Sequence, residues 1–584
     1  MGRDIMERDG HTMEAGPSAR ERVTTLILLA VFCAFGLFDH GLWSANDTRE
    51  GAMIAEMARG GSWTLPHLNG VPYLEKPPLL HWTGAVFCRL FGTVNEGLVR
   101  LPSALFGFGS LLLIWRFGCE LGRERAGLIA ASLCATTQLM FEYSRIVLTD
   151  VALTFMVLLS LWLFWRAYTA TTGRRGWYAA MLIVTALSFY AKGLLGPGFV
   201  WVAVGSFLLW RRAWRLLFSL ALAFLPILAL LLAPWVLGLW HEGGRDYLVG
   251  IFWDNQFGRF LNFSDPTLPH DPFRVHKEPL YYYLKSTPLR LLPWTLLVLA
   301  ALWRWFQPGT AYRGDLPLFL RIALVAMAGV LHVSSAKTAC YALPLFPLLL
   351  LMTGLWLEDR LRSNDARRGE RAALAITSAA LGAILLLAPL GVLAANGWRW
   401  TWGARTAWPG PALAIYSVAM AALALGVTLA FLLRFLRRWR TGAAPELAWH
   451  GPMMVVVSLI LTVAAVLPVL DRAKTYQPVA EFAQQQVGRW GRIALAHDIG
   501  IGVDERDTGA LTFYLGRPID PLPLDTHMAD YLFVNRRPGV VVVRADTLNK
   551  ARELLAGHAV QFIQTPHVGY KARGFWLALP IRGR

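Results

Sequence analysis

Long apolar runs separated by short charged ones make up most of the chain. Runs of the length a bilayer requires, about 17–25 residues, fall near 22–43, 97–118, 126–142, 150–168, 176–192, 194–211, 213–240, 289–306, 316–334, 338–357, 372–394, 410–435 and 452–470. The pattern predicts about thirteen transmembrane helices. A shorter run at 79–92, containing His81 and Arg89, predicts an interfacial helix. The first 22 residues are polar and charged, and the apolar stretch 23–38 follows without a small-x-small cleavage site, so it predicts an uncleaved signal-anchor helix. Beyond residue 471 the apolar density falls. Strand-like runs at 492–496, 540–543 and 575–578 and a helical pattern at 547–555 predict a small α/β domain outside the membrane, over 472–584. The predicted fold class is therefore a polytopic α-helical membrane protein with a small C-terminal α/β extramembrane domain. No internal repeat is visible, which weighs against an inverted-repeat transporter.

Loop charge orients the chain. Arginine concentrates at 116–125, 166–175, 211–215, 304–313, 360–371 and 434–440, alternate loops that the positive-inside rule places in the cytoplasm. The N-terminal tail 1–22 is then cytoplasmic, 23–471 is the membrane region, and the large loops 44–96 and 241–288 lie outside with the C-terminal domain. In a double-membrane bacterium that side of the inner membrane is the periplasm. Composition agrees: of 584 residues 55% are hydrophobic and 16% charged, where soluble domains run near a quarter charged. The net charge of +18 is explained by cytoplasmic loops and calls for no nucleic acid. The five cysteines show no metal or disulfide-framework spacing.

The first outer loop carries two acid–base clusters, Asn46-Asp47-Thr48-Arg49-Glu50 and Glu75-Lys76-Pro77-Pro78. One such cluster beside a membrane is commonly a solvated face; two in one structured loop point to chemistry. Asp150 opens the fourth span, where a carboxylate can simply cap a helix. Lys192 and Lys337 sit at outer helix ends, where lysines also snorkel. With Arg49, Lys76 and Arg259 of the second loop they make five outer cations, a set suited to holding phosphate at the membrane surface. Tyr281, Tyr282 and Tyr283 read as an interfacial belt. His276, just before them, could join Glu75 in a divalent site for zinc, manganese or magnesium.

At these residues the chain resembles a known family. Asn69-Gly70-Val71-Pro72-Tyr73-Leu74-Glu75-Lys76-Pro77-Pro78-Leu79 is close to the "NGxPYFEKPPL" signature of the lipid A aminoarabinose transferases. These are integral-membrane glycosyltransferases of the GT-C class, related to the protein O-mannosyltransferases. Thr149-Asp150, Ala191-Lys192-Gly193, His276 and Lys337 with Tyr341 support the likeness. It implies transfer of a sugar, 4-amino-4-deoxy-L-arabinose or a similar one, from undecaprenyl phosphate to lipid A or another envelope acceptor. It also implies that Glu75 and His276 bind a metal, that Lys76 and Arg49 hold the carrier phosphate, and that Asp150, Lys192 and Tyr341 line the cavity with Asn46 and Tyr73. One departure stands out. The family reads Asp-Glu-x-Arg-Tyr after its first span, where this chain has Asn46-Asp47-Thr48-Arg49-Glu50. The acidic role then falls to Asp47, as the base for a hydroxyl acceptor, or to Asp150. A transferase acting on protein or another glycan, a lipid-linked sugar transporter and an inactive lipid-binding relative are the competing expectations.

Overall fold

In the computed structural model the described residues are 16–258, 278–334, 336–363, 367–397, 411–440, 444–488, 491–498, 504–534, 539–568 and 574–581. The chain begins with α1 (Ala19–Ala34), whose N-terminus is closed by a capping box: the Glu21 amide donates to the Ser18 hydroxyl and the Ser18 amide donates to the Glu21 carboxylate. The polar loop 44–96 is itself structured, as α2 (Ala45–Ala58), a hairpin of β1 (His67–Leu68) and β2 (Val71–Pro72), and α3 (Leu79–Leu90). Then follow α4 (Glu96–Glu120), α5 (Glu124–Ala135), α6 (Gln138–Tyr143), α7 (Thr149–Thr169), α8 (Arg174–Leu187), α9 (Phe189–Lys192), α10 (Leu195–Trp210) and α11 (Trp214–Leu248). Helices Thr295–Phe306, Asp315–Val333, Phe346–Ser363, Arg368–Gly397, Pro411–Arg440 and Ala444–Lys474 complete the membrane region.

Each predicted apolar run contains helix, and the run at 79–92 forms the helix α3. Among the described residues seven helices are long and apolar enough to cross a bilayer unaided, or eight if the bent pair Tyr282–Arg290 and Thr295–Phe306 counts as one span. The shortfall from thirteen has a physical cause: several runs are interrupted. The run at 126–142 breaks between α5 and α6, where the Thr136 and Thr137 hydroxyls donate to carbonyls of the turn before them. The run at 176–192 breaks at Ser188; the one at 338–357 starts as a 3-10 turn over Ala339–Leu345 and still counts among the seven.

Burial separates an inner spine from lipid-facing helices. In an apolar 18-residue stretch of Ala339–Arg360, 89% of residues are buried, against 11% in that of Trp214–Gln256. The inner contacts pair α4, α5, α7 and Phe346–Ser363 through small residues; an added Cβ at Gly118 would meet the Gly127 Cα at 2.5 Å. The tyrosine belt needs correction. Tyr281 is exposed, but Tyr283 is buried, donates to the Thr338 carbonyl at 3.2 Å and packs on His332.

The C-terminal domain is a five-stranded sheet in the order β4-β3-β5-β7-β6. Its strands are β3 (Arg492–His497), β4 (Asp520–Pro523), β5 (Gly539–Arg544), β6 (Val560–Val568) and β7 (Gly574–Pro580). β3 runs parallel to β4 and β5, and β7 antiparallel to β5 and β6. Alternate residues feed two cores, as the pleat requires. Ile493, Leu495, Val540 and Val542 pack with helix Gln477–Val487 on one face, while Ala494, Ala496, Val541 and Val543 meet helices His527–Phe533 and Leu548–Leu554 on the other. Helix Glu505–Leu515 lies along α2. Gly509 permits this contact, since a Cβ there would come within 2.7 Å of the Thr48 carbonyl oxygen.

Candidate functional site

The two acid–base clusters meet because local sequence brings them together. Ser44 caps α2 by accepting the Asp47 amide at 3.1 Å. On the helix, spacings of three and four put Asn46, Arg49 and Glu50 on one face. Opposite stands the β1–β2 hairpin, turned by Asn69-Gly70 with both residues at positive φ (57° and 76°), the preferred chemistry for a two-residue hairpin. Glu56 accepts the turn amides of Asn69 and Gly70 at 2.6 and 3.1 Å. The chain then runs through Glu75 and Lys76, and Pro78 starts α3.

Glu50 is the hub. Its Oε1 accepts from Arg49 Nη2 at 3.0 Å and from Lys76 Nζ, and its Oε2 pairs with His81 Nε2 at 2.9 Å. Burial opposes charge on this fully buried carboxyl, yet Lys76, Arg49 and His81 together hold it well below the usual glutamate range. Arg49 also donates to Asn46 Oδ1 at 3.0 Å and to Glu505 Oε2 of the C-terminal domain at 2.7 Å, and it stands 5.4 Å over the Tyr73 ring. Burial penalises the Arg49 charge, but Glu50 and Glu505 outweigh that and raise its pKa further. The Tyr73 hydroxyl is buried and finds no partner among the described residues.

A second cluster lies nearby. Asp150, buried at the start of α7, accepts from Lys192 Nζ at 2.5 Å, and the same ammonium stands 4.0 Å from the centre of the Tyr341 ring. Lys192 ends α9, and Gly193 then turns the chain at φ 63°. A Cβ at Gly193 would lie 2.0 Å from Gln256 Oε1, which accepts the Leu194 amide at 2.9 Å. α3, which follows Lys76, packs against both α7 and α9, and the Trp82 and Tyr190 rings lie 5.0 Å apart, so the two clusters sit on neighbouring elements.

Other expected residues fall elsewhere. Asp47 is buried in an ion pair with Arg100, Oδ2 to Nη2 at 2.5 Å, and it also accepts the Val147 amide at 3.0 Å. Arg100 donates further to the carbonyls of Leu37, His40 and Gly41. With its oxygens taken up this way Asp47 is a tie between α2, α4 and two loops, poorly disposed to take a substrate proton. Lys337 is buried, its ammonium donating to the carbonyls of Ser334 at 2.5 Å and Glu278 at 3.1 Å. Arg259 and His276 lie outside the described residues. Glu75 is half-buried beside Lys76. Among the described residues no group of three His, Cys, Asp or Glu is arranged to hold a metal ion.

Sequence reasoning assigned no role to His81, Arg100 or Glu505. Arg100 carried a usable signal, a cation at the outer end of a span, the same one that marked Lys192. Glu505 carried none, being 456 residues from its partner.

Comparison with known proteins agrees with this picture. The family model described as dolichyl-phosphate-mannose-protein mannosyltransferase matches residues 75–240. The undecaprenyl phosphate-alpha-4-amino-4-deoxy-L-arabinose arabinosyl transferase of Pseudomonas aeruginosa (strain LESB58) is 32% identical over 60% of this chain and 62% of its own length. Its namesake from Edwardsiella ictaluri (strain 93-146) is 28% identical over 57% of this chain and 58% of its own. The alignments thus span less than two thirds of these relatives. The crystal structure of ArnT from Cupriavidus metallidurans bound to undecaprenyl phosphate superposes with a TM-score of 0.71 at 19% identity, covering 96% of this chain and 98% of that one. The chain therefore has the fold of that protein, and the resemblance read from residues 69–79 is borne out.

Proposed function

We propose that this protein is a glycosyltransferase that moves a sugar, 4-amino-4-deoxy-L-arabinose or a close relative, from undecaprenyl phosphate to lipid A. The reaction takes place at the periplasmic face of the inner membrane, with the N-terminus in the cytoplasm and the C-terminal domain outside. The observation that carries this reading is the meeting of Arg49, Lys76 and Glu50 on elements that neighbour the Lys192–Asp150 pair, which joins the end of α9 to the start of α7. Two relatives named as arabinosyl transferases of undecaprenyl phosphate-alpha-4-amino-4-deoxy-L-arabinose support its donor side.

The chemistry is displacement at the anomeric carbon. The acceptor oxygen forms the new bond to that carbon as the bond to the carrier phosphate breaks, its electron pair leaving on the phosphate oxygen. Lys76 and Arg49 stabilise that developing charge in place, so no strong general acid is needed. Lys192 and Arg259 are assigned to the same anion. Lys337 joins them only if its ammonium leaves the two carbonyls that now hold it. A lipid A phosphate acceptor is already anionic and has no proton to lose. A hydroxyl acceptor must pass its proton to a carboxylate, and Asp150 suits that task better than Asp47, whose oxygens are committed to Arg100 and Val147. Asn46, Tyr73 and Tyr341 line the cavity. A divalent ion at Glu75 and His276 would add Lewis-acid charge near the phosphate; the steps above are carried by the chain's own residues.

Mass spectrometry of lipid A, total glycolipids and envelope proteins from cells with and without the protein tests this. A sugar on lipid A that disappears in Lys76→Ala is expected. The match to a protein mannosyltransferase model over 75–240 favours one second reading, transfer to protein; the same sugar on an envelope protein supports it. An unchanged envelope with carrier-linked sugar redistributed across the membrane refutes both.

A further inference from the structure

Glu50 stands where the resembling family has tyrosine, and it places a full negative charge between the two cations assigned to the carrier phosphate. The carboxylate is fully buried, and both its oxygens are engaged, Oε1 by Arg49 and Lys76 and Oε2 by His81. His81 is equally buried, and its Nδ1 has no partner among the described residues. A buried ring with one nitrogen unpartnered is cheapest as the neutral tautomer with its proton on Nε2, donating to Glu50. His81 therefore orients the carboxylate without cancelling its charge. Glu50 and the side chains that touch it sum to two cations and one anion; Lys192 brings its own counter-charge in Asp150, and half-buried Glu75 beside Lys76 lowers the positive total further. Glu505 also touches Arg49, but its side chain is 46% exposed and its charge is correspondingly screened.

A small excess of positive charge discriminates between the two ends of the reaction. A sugar-phosphate-lipid donor is a phosphodiester with one negative charge. The leaving polyprenyl phosphate is a monoester with close to two at pH 7, since its second pKa lies near 6. We propose that Glu50 is a positioning residue that matches the site to a monoanionic phosphodiester and loosens its grip on the dianionic product. Held between Arg49 and Lys76, it also fixes the spacing of their donors before substrate arrives. The inference rests on the transferase reading above and extends it by assigning Glu50 the balance between donor binding and product release.

The test uses the purified full-length protein and direct binding of two lipids, undecaprenyl phosphate and its methyl ester, a monoanionic diester. Wild type is expected to bind the two within about threefold. In Glu50→Gln the monoester should tighten by about tenfold or more, as expected for removing one buried charge beside a dianion, while the diester changes less. In turnover that variant should show stronger inhibition by undecaprenyl phosphate and a lower kcat without a higher KM for donor. Glu50→Asp, which keeps the charge, should bind the monoester as weakly as wild type. Monoester affinity in Glu50→Gln equal to or weaker than wild type overturns the inference. So does a tenfold preference of wild type for the monoester, a measurement that stands even if Glu50→Gln fails to fold. Failure of wild type to bind either lipid overturns the transferase reading itself, a distinguishable result.

Discussion

Asp47 is where a catalytic and a structural role make opposite predictions. Its carboxylate and the Arg100 guanidinium form a buried pair, with Arg100 fully enclosed. Removing one partner of such a pair costs about 3–5 kcal/mol, because the other charge stays buried without compensation. Asp47→Asn leaves the Arg100 charge with neutral acceptors alone, the amide oxygen at 47 and the carbonyls of Leu37, His40 and Gly41. Arg100→Gln strands Asp47 in the same way. The double variant Asp47→Asn/Arg100→Gln removes both charges, so its loss should fall well short of the sum of the two, with a coupling of roughly 3 kcal/mol. The assay is unfolding of the detergent-solubilised protein for all four species, beside sugar transfer per folded molecule. The structural role predicts that both singles unfold early and that the double recovers stability and retains transfer. A stable Asp47→Asn with no transfer, or a stable double variant with none, refutes the reasoning and returns Asp47 to the chemistry.

Three further outcomes follow. Gly509→Leu forces a side chain against the Thr48 carbonyl and should release helix Glu505–Leu515 from α2, seen as faster hydrogen exchange in both elements; unchanged protection would show that the contact is not close-packed. Lys192→Met strands buried Asp150 and should cost about 3–5 kcal/mol; adding Asp150→Asn should restore the fold but not transfer, and restored transfer would exclude the pair from the site. The folded pKa of Glu50 is depressed, so its stabilisation is complete above the ordinary glutamate value of about 4.3 and is lost as pH falls through the lower folded value. The acid limb of the stability curve below about pH 4.3 should therefore be shallower in Glu50→Gln than in wild type, and identical limbs would contradict the assigned partners.

Much of the architecture was legible because membrane helices are specified by composition alone: every apolar run became helix. What hydropathy could not foresee was interruption, as at Thr136 and Ser188, where hydroxyl–carbonyl bonds compete with the helix. In the C-terminal domain the strands at 492–497, 539–544 and 574–580 carry apolar residues on both faces and were read nearly to the residue. β4, with its two prolines, and helix Glu505–Leu515, with its charged start, carry no such pattern. At the site, residue type and outer location found Arg49, Lys76, Asp150 and Lys192. Their partners were another matter. A sequence shows that Asp47 and Glu50 are both acidic; only the turn of α2 decides that one faces Arg100 and the other faces Lys76.

The Asn69 side chain adds a consequence in time. Its carbonyl oxygen accepts the Ile519 amide at 2.7 Å and its amide donates to the Ile519 carbonyl at 2.8 Å, across 450 residues of sequence. Chains are synthesised at about 5–20 residues per second, so the hairpin emerges roughly 20–90 s before the strand segment that clasps it. Through that interval the first outer loop waits with its C-terminal partner unmade, and Arg49 has yet to meet Glu505. A ribosome stalled after the last membrane helix would leave a fully inserted protein with an unclasped hairpin, which makes the final hundred residues a timer on when the site is complete.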